Sequence, residues 1–298
     1  MTAATTLALD IGGTKMLAAL VQGSVVVETF GMPTPRDGSP GEWLAALFRG
    51  IGDWKGRYDR AGIAVTGIVD GGLWSALNRK TLDIPDRFPL TETVSTLASC
   101  PAIAANDAQA AAWGEYRFGA GAGEDMVFLT ISTGIGGGIV LGRRLLQGIS
   151  GHFGLFRVQD FEYAAAPDSA MEDHVSGNWI SLAAARHRPG ATARDVFEAA
   201  RDGKQWAENI VALSARRAAL LCRNVQLALD PPRIVIGGGI GLAHGYLERI
   251  EAALSDVPHR LRPNLAAAKL GDKAGVVGIA DLANCPDDER GNKNEDDF

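Results

Sequence analysis

Residues 6–30, TLALDIGGTKMLAALVQGSVVVETF, and residues 126–148, MVFLTISTGIGGGIVLGRRLLQG, share one grammar. In the first, an apolar run ends at Asp10 before a Gly-Gly turn, a second run covers Met16 to Val21, and a Gln-Gly-Ser turn leads to a third run, Val25 to Thr29. In the second, an apolar run meets a glycine-rich turn at Gly134 to Gly138, then a further run, a Gly-Arg-Arg turn and a short third run. Apolar runs of strand length separated by glycine turns predict a three-stranded meander. Its return about 120 residues later predicts a duplicated architecture.

Working outward, the segment between the copies reads as a helix over Gly41 to Ile51, with Trp43, Leu44, Leu47, Phe48 and Ile51 on one face. A strand at Ala61 to Thr66, another at Ala102 to Ala105 and an alanine-rich helix starting at Asp107 follow. After the second copy, Val211, Ala215, Ala218, Cys222, Val225 and Leu229 recur at helical spacing, a long buried helix ended by Pro231-Pro232. A strand, Arg233 to Ile236, then runs into Gly237 to Gly241 and a helix from about Leu242 to Leu254. The class is α/β, with two meander-led halves, 1–120 and 121–285, parted in the glycine-rich FGAGAGED segment. A cleft between the halves is the expected ligand site.

Composition narrows the field. A chain of 298 residues exceeds the usual range of one core, which favours two domains or one duplicated unit. With 46% hydrophobic and 21% charged residues it is neither disordered nor collagen-like, although 37 glycines are roughly double the average frequency. The net charge of −6 provides no electrostatic footprint for a nucleic-acid backbone. Residues 286–298 hold six acids against Arg290 and Lys293, and read as a disordered acidic tail. Cys100, Cys222 and Cys285 form no C-x-x-C pair, no charged-then-apolar leader opens the chain, and no apolar run reaches membrane-spanning length. A soluble, cytoplasmic protein is the expectation.

Three glycine-rich turns follow apolar strands: Asp10 to Lys15, Ser132 to Gly138 and Gly237 to Gly241. Such turns let successive N–H groups point into one concavity and let a phosphate approach without meeting a Cβ, so together they suggest a nucleotide site. Neither G-x-G-x-x-G nor G-x-x-x-x-G-K-[ST] occurs, which removes the main signatures of a Rossmann domain and a P-loop NTPase. Asp10, at a strand end, suits either Mg²⁺ or an Asx turn. Thr14 and Lys15 suit either phosphate contacts or the polar end of a hairpin. Asn106-Asp107 suit either a helix N-cap or, for the carboxylate, a general base.

DIGGTK, TGIVDGG, NDAQAAAWGEY, TISTGIGGG, a Gly-His-Phe-Gly segment and VIGGGIG occur in the order found in the ROK family of sugar kinases, within the actin-like ATPase superfold. The likeness runs from about residue 6 to 283, and AANDAQAAAWGEY with the 126–148 segment looks most like the N-acetylmannosamine kinases of that family. The resemblance implies two duplicated RNase H-like domains and ATP- and Mg²⁺-dependent phosphorylation of the 6-hydroxyl of N-acetylmannosamine. A glucokinase or another family hexokinase is the alternative, and a non-catalytic sugar-responsive regulator the alternative of another class. It implies that Asp10, Gly12, Gly13, Thr14 and Lys15 form a first phosphate loop, with Asp10 near Mg²⁺, and that Ser132, Thr133, Gly134 and Gly136 form a second. Gly238 and Gly239 approach the adenosine, and Asp107 is the base. Asn106 holds an adjacent hydroxyl, and Gly67, Asn78, His152 and Glu172 line the sugar pocket. Homodimerisation is also implied.

The family's zinc site is where the sequence departs. Its His position is Leu155, and its three Cys positions, counted back from Glu172, are Ala170, Ala165 and Tyr163. A zinc-free member is expected, with His152, His174 and His187 not metal ligands, and with the loop over 155–171 held by Phe153, Phe156, Phe161 and Tyr163. Thr81 stands where related kinases often show Asn.

Overall fold

The computed structural model describes residues 4–77, 82–157 and 169–286. The first meander is β1 (Thr5–Ile11), β2 (Lys15–Gln22) and β3 (Val25–Pro33). Then come α1 (Pro40–Gly50), β4 (Arg60–Val65), β5 (Ile68–Asp70), β6 (Leu73–Ser75), β7 (Phe88–Pro89), α2 (Leu90–Ala98), β8 (Ala102–Asn106) and α3 (Asp107–Phe118). The second meander is β9 (Met126–Ile131), β10 (Ile135–Leu141) and β11 (Arg144–Leu146). It is followed by α4 (Glu172–Val175), α5 (Gly177–Ala184), α6 (Ala193–Arg201), α7 (Gln205–Leu229), β12 (Ile234–Gly237) and α8 (Gly238–Gly241). The chain continues through α9 (Tyr246–Ala253), β13 (Leu265–Ala267) and α10 (Ala274–Asn284).

Duplication is visible in strand order. One five-stranded sheet runs β3-β2-β1-β4-β8 and the other β11-β10-β9-β12-β13, so each places its third, second, first, fourth and fifth strands in the same sequence. In each, a meander is continued by parallel pairs, β1 with β4 and β4 with β8, β9 with β12 and β12 with β13. A third, small sheet of β5, β6 and β7 has no counterpart in the sequence reading.

Packing groups the chain into two units: Met1–Gly123 with Gly138–Ser150 and Asp272–Phe298, and Glu124–Gly137 with Gly151–Gly271. The first takes in residues from late in the chain because α10 packs along α3 and onto β1 and β4. Glycines permit the approach. A Cβ on Gly278 would collide with the carbonyl of Ala110, one on Gly114 with that of Ala274, and one on Gly62 would stand 2.5 Å from the carbonyl oxygen of Ile279. On the other face of β1, Leu7, Leu9 and Ile11 are buried in a core with Trp43, Leu44 and Leu47 of α1, while Ser39 and Glu42 close a capping box at its start. Strand alternation therefore puts Asp10 on the α10 side of the sheet, at the strand's carboxyl end.

In the second unit, Val211, Ala215, Ala218, Cys222 and Val225 of α7 are buried, and the helix ends with Asp230 in the left-handed region (φ 43°) ahead of Pro231. Ser214 bonds from mid-helix to the carbonyl of Val175 and to the Tyr246 hydroxyl, both at 2.7 Å. The helix expected from Leu242 starts later, as α9 at Tyr246, because Gly245 (φ 74°) turns the chain after the short α8. Among the described residues, no helix is long and apolar enough to cross a membrane.

Candidate active site

Parallel pairing brings three polar strand ends together in the first unit. Asp10 opposes Ala64, Ile11 opposes Val65, and Val65 opposes Asn106, so Asp10, Thr66 and Asp107 stand at the carboxyl ends of β1, β4 and β8. Such ends are where open α/β sheets take ligands. Thr66 donates its hydroxyl to Asp107 Oδ2 at 2.9 Å, while the Ala108 N–H reaches Asp107 Oδ1 at 2.8 Å. Asn106 is the N-cap of α3. Its Oδ1 accepts from Ala108 and Gln109 N–H groups at 2.9 and 3.3 Å, and its Nδ2 donates to the Gly67 carbonyl at 2.8 Å. The cap is therefore Asn106, and the Asp107 carboxylate stands at the strand end.

The carboxyl of Asp10 is perturbed. Burial first, then the negative charge of Asp107, push it up to about 6, against the opposing pull of Lys15. Two carboxylates that repel one another at a strand end are a hard-oxygen donor set suited to Mg²⁺, which commonly takes one or two carboxylates together with substrate phosphates. The Gly12–Lys15 turn is tied at its carbonyls. Gly12 N–H donates to Lys15 O at 3.0 Å, Thr34 Oγ1 donates to Gly12 O at 2.7 Å, and Thr34 N–H donates to Thr14 O at 3.0 Å. Gly67 (φ 123°) could not carry a side chain, since a Cβ would stand 2.6 Å from the Ser75 carbonyl oxygen.

The second unit gathers the remaining glycine turns. Ser132 N–H donates to Gly134 O at 2.9 Å, and the first residues of α5 hold the same turn, Gly177 N–H on Ser132 O at 2.7 Å and Asn178 N–H on Thr133 O at 3.2 Å. Glu172 lies against this turn: a Cβ on Gly134 would be 2.8 Å from Glu172 Oε2, and one on Gly154 3.3 Å. Gly136 lies in β10, and His152 immediately precedes the short 3₁₀ turn Phe153–Leu155. Gly238 (φ 84°) closes onto the Ile131 carbonyl, where a Cβ would collide, whereas a Cβ on Gly239 would meet nothing within 4 Å.

No role is expected from the sequence for Thr34, which lies outside every motif, or for Thr66, which opens TGIVDGG but reads only as the end of a strand. Asn78, Thr81, Phe161, Tyr163, Ala165 and residues 287–298 of the acidic tail lie outside the described residues. Phe153 is buried as expected of an anchor, but Phe156 is 47% exposed and only edges against it, centroids 5.4 Å apart. The loop's stem is instead held by backbone pairing, an Arg157–Ala170 bridge and Met171 N–H on Phe156 O at 2.8 Å. Leu155 is 42% exposed. Among the described residues, no three His, Cys, Asp or Glu side chains stand together as a metal site.

The sequence model of the ROK family matches residues 6–285. The bifunctional enzyme NanE/NanK of Brucella melitensis is 47% identical over 93% of this chain and 53% of its own length, so the chain spans about half of that relative. The N-acetylmannosamine kinase of Escherichia coli is 39% identical over 94% of this chain and 98% of its own. Among solved structures, a ROK family glucokinase from Streptomyces griseus in complex with glucose and AMPPNP is 31% identical, with a TM-score of 0.78, over 94% of this chain and 99% of that one.

Proposed function

The chain belongs to the ROK family, and from that membership we propose that it is a kinase transferring the γ-phosphoryl group of ATP to the 6-hydroxyl of N-acetylmannosamine. The observation that carries this reading is the Asp107 carboxylate, held at the strand end beside the raised carboxyl of Asp10. Asp107 accepts the proton of the sugar hydroxyl as its oxygen bonds to phosphorus, the bond to the bridging oxygen breaks, and ADP leaves. General-base help of this kind is worth roughly 10²- to 10⁴-fold, and positioning supplies most of the remainder in phosphoryl transfer.

Asp10 holds Mg²⁺, which when bound neutralises charge on the phosphates. Gly12, Gly13, Thr14, Lys15, Ser132, Thr133, Gly134 and Gly136 contact phosphate. The open side of Gly239, beside Gly238, admits the adenosine. Gly67, Asn78, Asn106, His152 and Glu172 contact the sugar. For Asn106 this falls to the second N–H of its amide, the first being donated to Gly67. The same reading includes independence of zinc, a homodimer, and a cytoplasmic setting that suits three free cysteines.

ADP release measured with N-acetylmannosamine, N-acetylglucosamine, glucose, mannose and fructose, for the wild type and Asp107→Asn, tests the proposal. N-acetylmannosamine should give the highest kcat/KM, and Asp107→Asn should lose nearly all turnover. Preference for glucose would make the chain a glucokinase. Stimulation by no sugar, or full turnover by the Asn variant, would end the kinase reading.

A further inference from the structure

Thr66 occupies a position with no freedom left in its backbone. Its N–H donates to Ile11 O at 3.2 Å, extending the parallel sheet by one residue, and its carbonyl accepts the indole N–H of the buried Trp74 at 2.9 Å. The next residue, Gly67, is fixed by its own left-handed φ of 123° and by the Asn106 amide on its carbonyl. From this anchored backbone a β-branched side chain with few χ1 options delivers a hydroxyl to Asp107 Oδ2 at 2.9 Å. The Ala108 N–H that reaches Asp107 Oδ1 at 2.8 Å is shared with Asn106 Oδ1 at 2.9 Å.

We propose that Thr66 is a positioning residue for the transfer reaction, its hydroxyl fixing the rotation of the Asp107 carboxylate so that a lone pair meets the acceptor hydroxyl. The inference rests on the kinase reading above. A donor on a neighbouring strand that already holds one oxygen in place costs no reorganisation during reaction. An angstrom of misplacement of a reacting group lowers rates by about 10²-fold, so the hydroxyl matters to turnover more than to binding.

The test compares Thr66→Val, which keeps the branched shape and loses the donor, with Thr66→Ser, which keeps the donor, alongside Asp107→Asn. Steady-state kinetics should give a kcat about ten- to a hundredfold lower for the Val variant. KM for ATP and for N-acetylmannosamine, and the calorimetric Kd of the sugar, should stay within about twofold, and Ser should restore kcat to within about threefold. A Val variant that retains more than half the wild-type kcat, or a Ser variant that falls as far as Val, overturns the inference. If Thr66→Val does not fold, Thr66→Ala against Thr66→Ser makes the same comparison. Full turnover by Asp107→Asn overturns the kinase reading and this inference with it; loss in Asp107→Asn with none in Thr66→Val overturns this inference alone.

Discussion

Asp10 at the end of β1 and Asp107 at the start of α3 stand near enough that the charge of the second helps push the carboxyl of the first up to about 6. The folded metal-free protein therefore binds this proton more tightly than the unfolded chain, whose group titrates near 3.8. Below that value the residue is neutral in both states and has no effect. As pH rises from there through about 6, stability is lost. The loss is on the order of 3 kcal/mol, since each tenfold difference in proton affinity between the two states is worth about 1.4 kcal/mol. Asp10→Asn should accordingly raise the urea midpoint of the metal-free protein at pH 8 and leave it nearly unchanged at pH 4. Equal midpoints at pH 8 would show that the buried charge is not strained.

Replacing Asn106 by Ala removes the cap of α3 and the tie to Gly67 together. A loss of at least about 1–2 kcal/mol in chemical denaturation is expected. Asn106→Asp keeps the capping oxygen but sets a carboxylate against the Gly67 carbonyl, so it should recover only part of that loss. An Asp variant as stable as wild type would mean that the link to Gly67 contributes nothing.

Neighbouring glycines should separate folding from nucleotide binding. Gly238→Ala forces a Cβ into the Ile131 carbonyl from a left-handed backbone and should destabilise by more than about 2 kcal/mol. Gly239→Ala meets open space and should melt like the wild type, yet raise the KM for ATP. An unchanged KM would move the adenosine elsewhere.

Asp281 of α10 accepts from Trp113 Nε1 at 2.8 Å and from Arg117 Nε at 2.9 Å, both on α3. Asp281→Ala orphans a buried indole N–H, and a drop of about 1–3 kcal/mol follows from the desolvation of the unpaired group. Adding Trp113→Phe removes that donor, so the double variant should be less destabilised than the two single losses summed. Strict additivity in thermal melts would mean the two residues are not coupled.

Where hydrophobic period and glycine turns coincide, the strands and helices were legible in advance. β1, β2, β4 and β8 stand within a residue or two of their expected limits, whereas β3 runs on from Thr29 to Pro33, β10 begins at Ile135 inside the expected Gly134 to Gly138 turn, and α7 starts before Val211. Pieces too short to show a period were not: the small sheet around Trp74, α4 and β13 owe their form to tertiary neighbours. At the site, the acidic residues at strand ends could be read because their type and place in the pattern are unusual. Thr66 could not, since its meaning depends on β4 lying beside β8, a pairing that joins residues 41 apart in the chain. The reach of α10 back to α3 was equally invisible, being carried by Gly114 and Gly278, glycines that outside a turn look like any others.

That reach bears on how the protein is made. While the ribosome is still adding residues 124–273, the nascent first unit has no α10, and the faces of β1, β4 and α3 that this helix covers stay open to water or to a chaperone. The segment that finishes the first sheet is synthesised only after residues 124–273, so the carboxylates at that sheet's strand ends are set in a settled framework only once α10 has emerged.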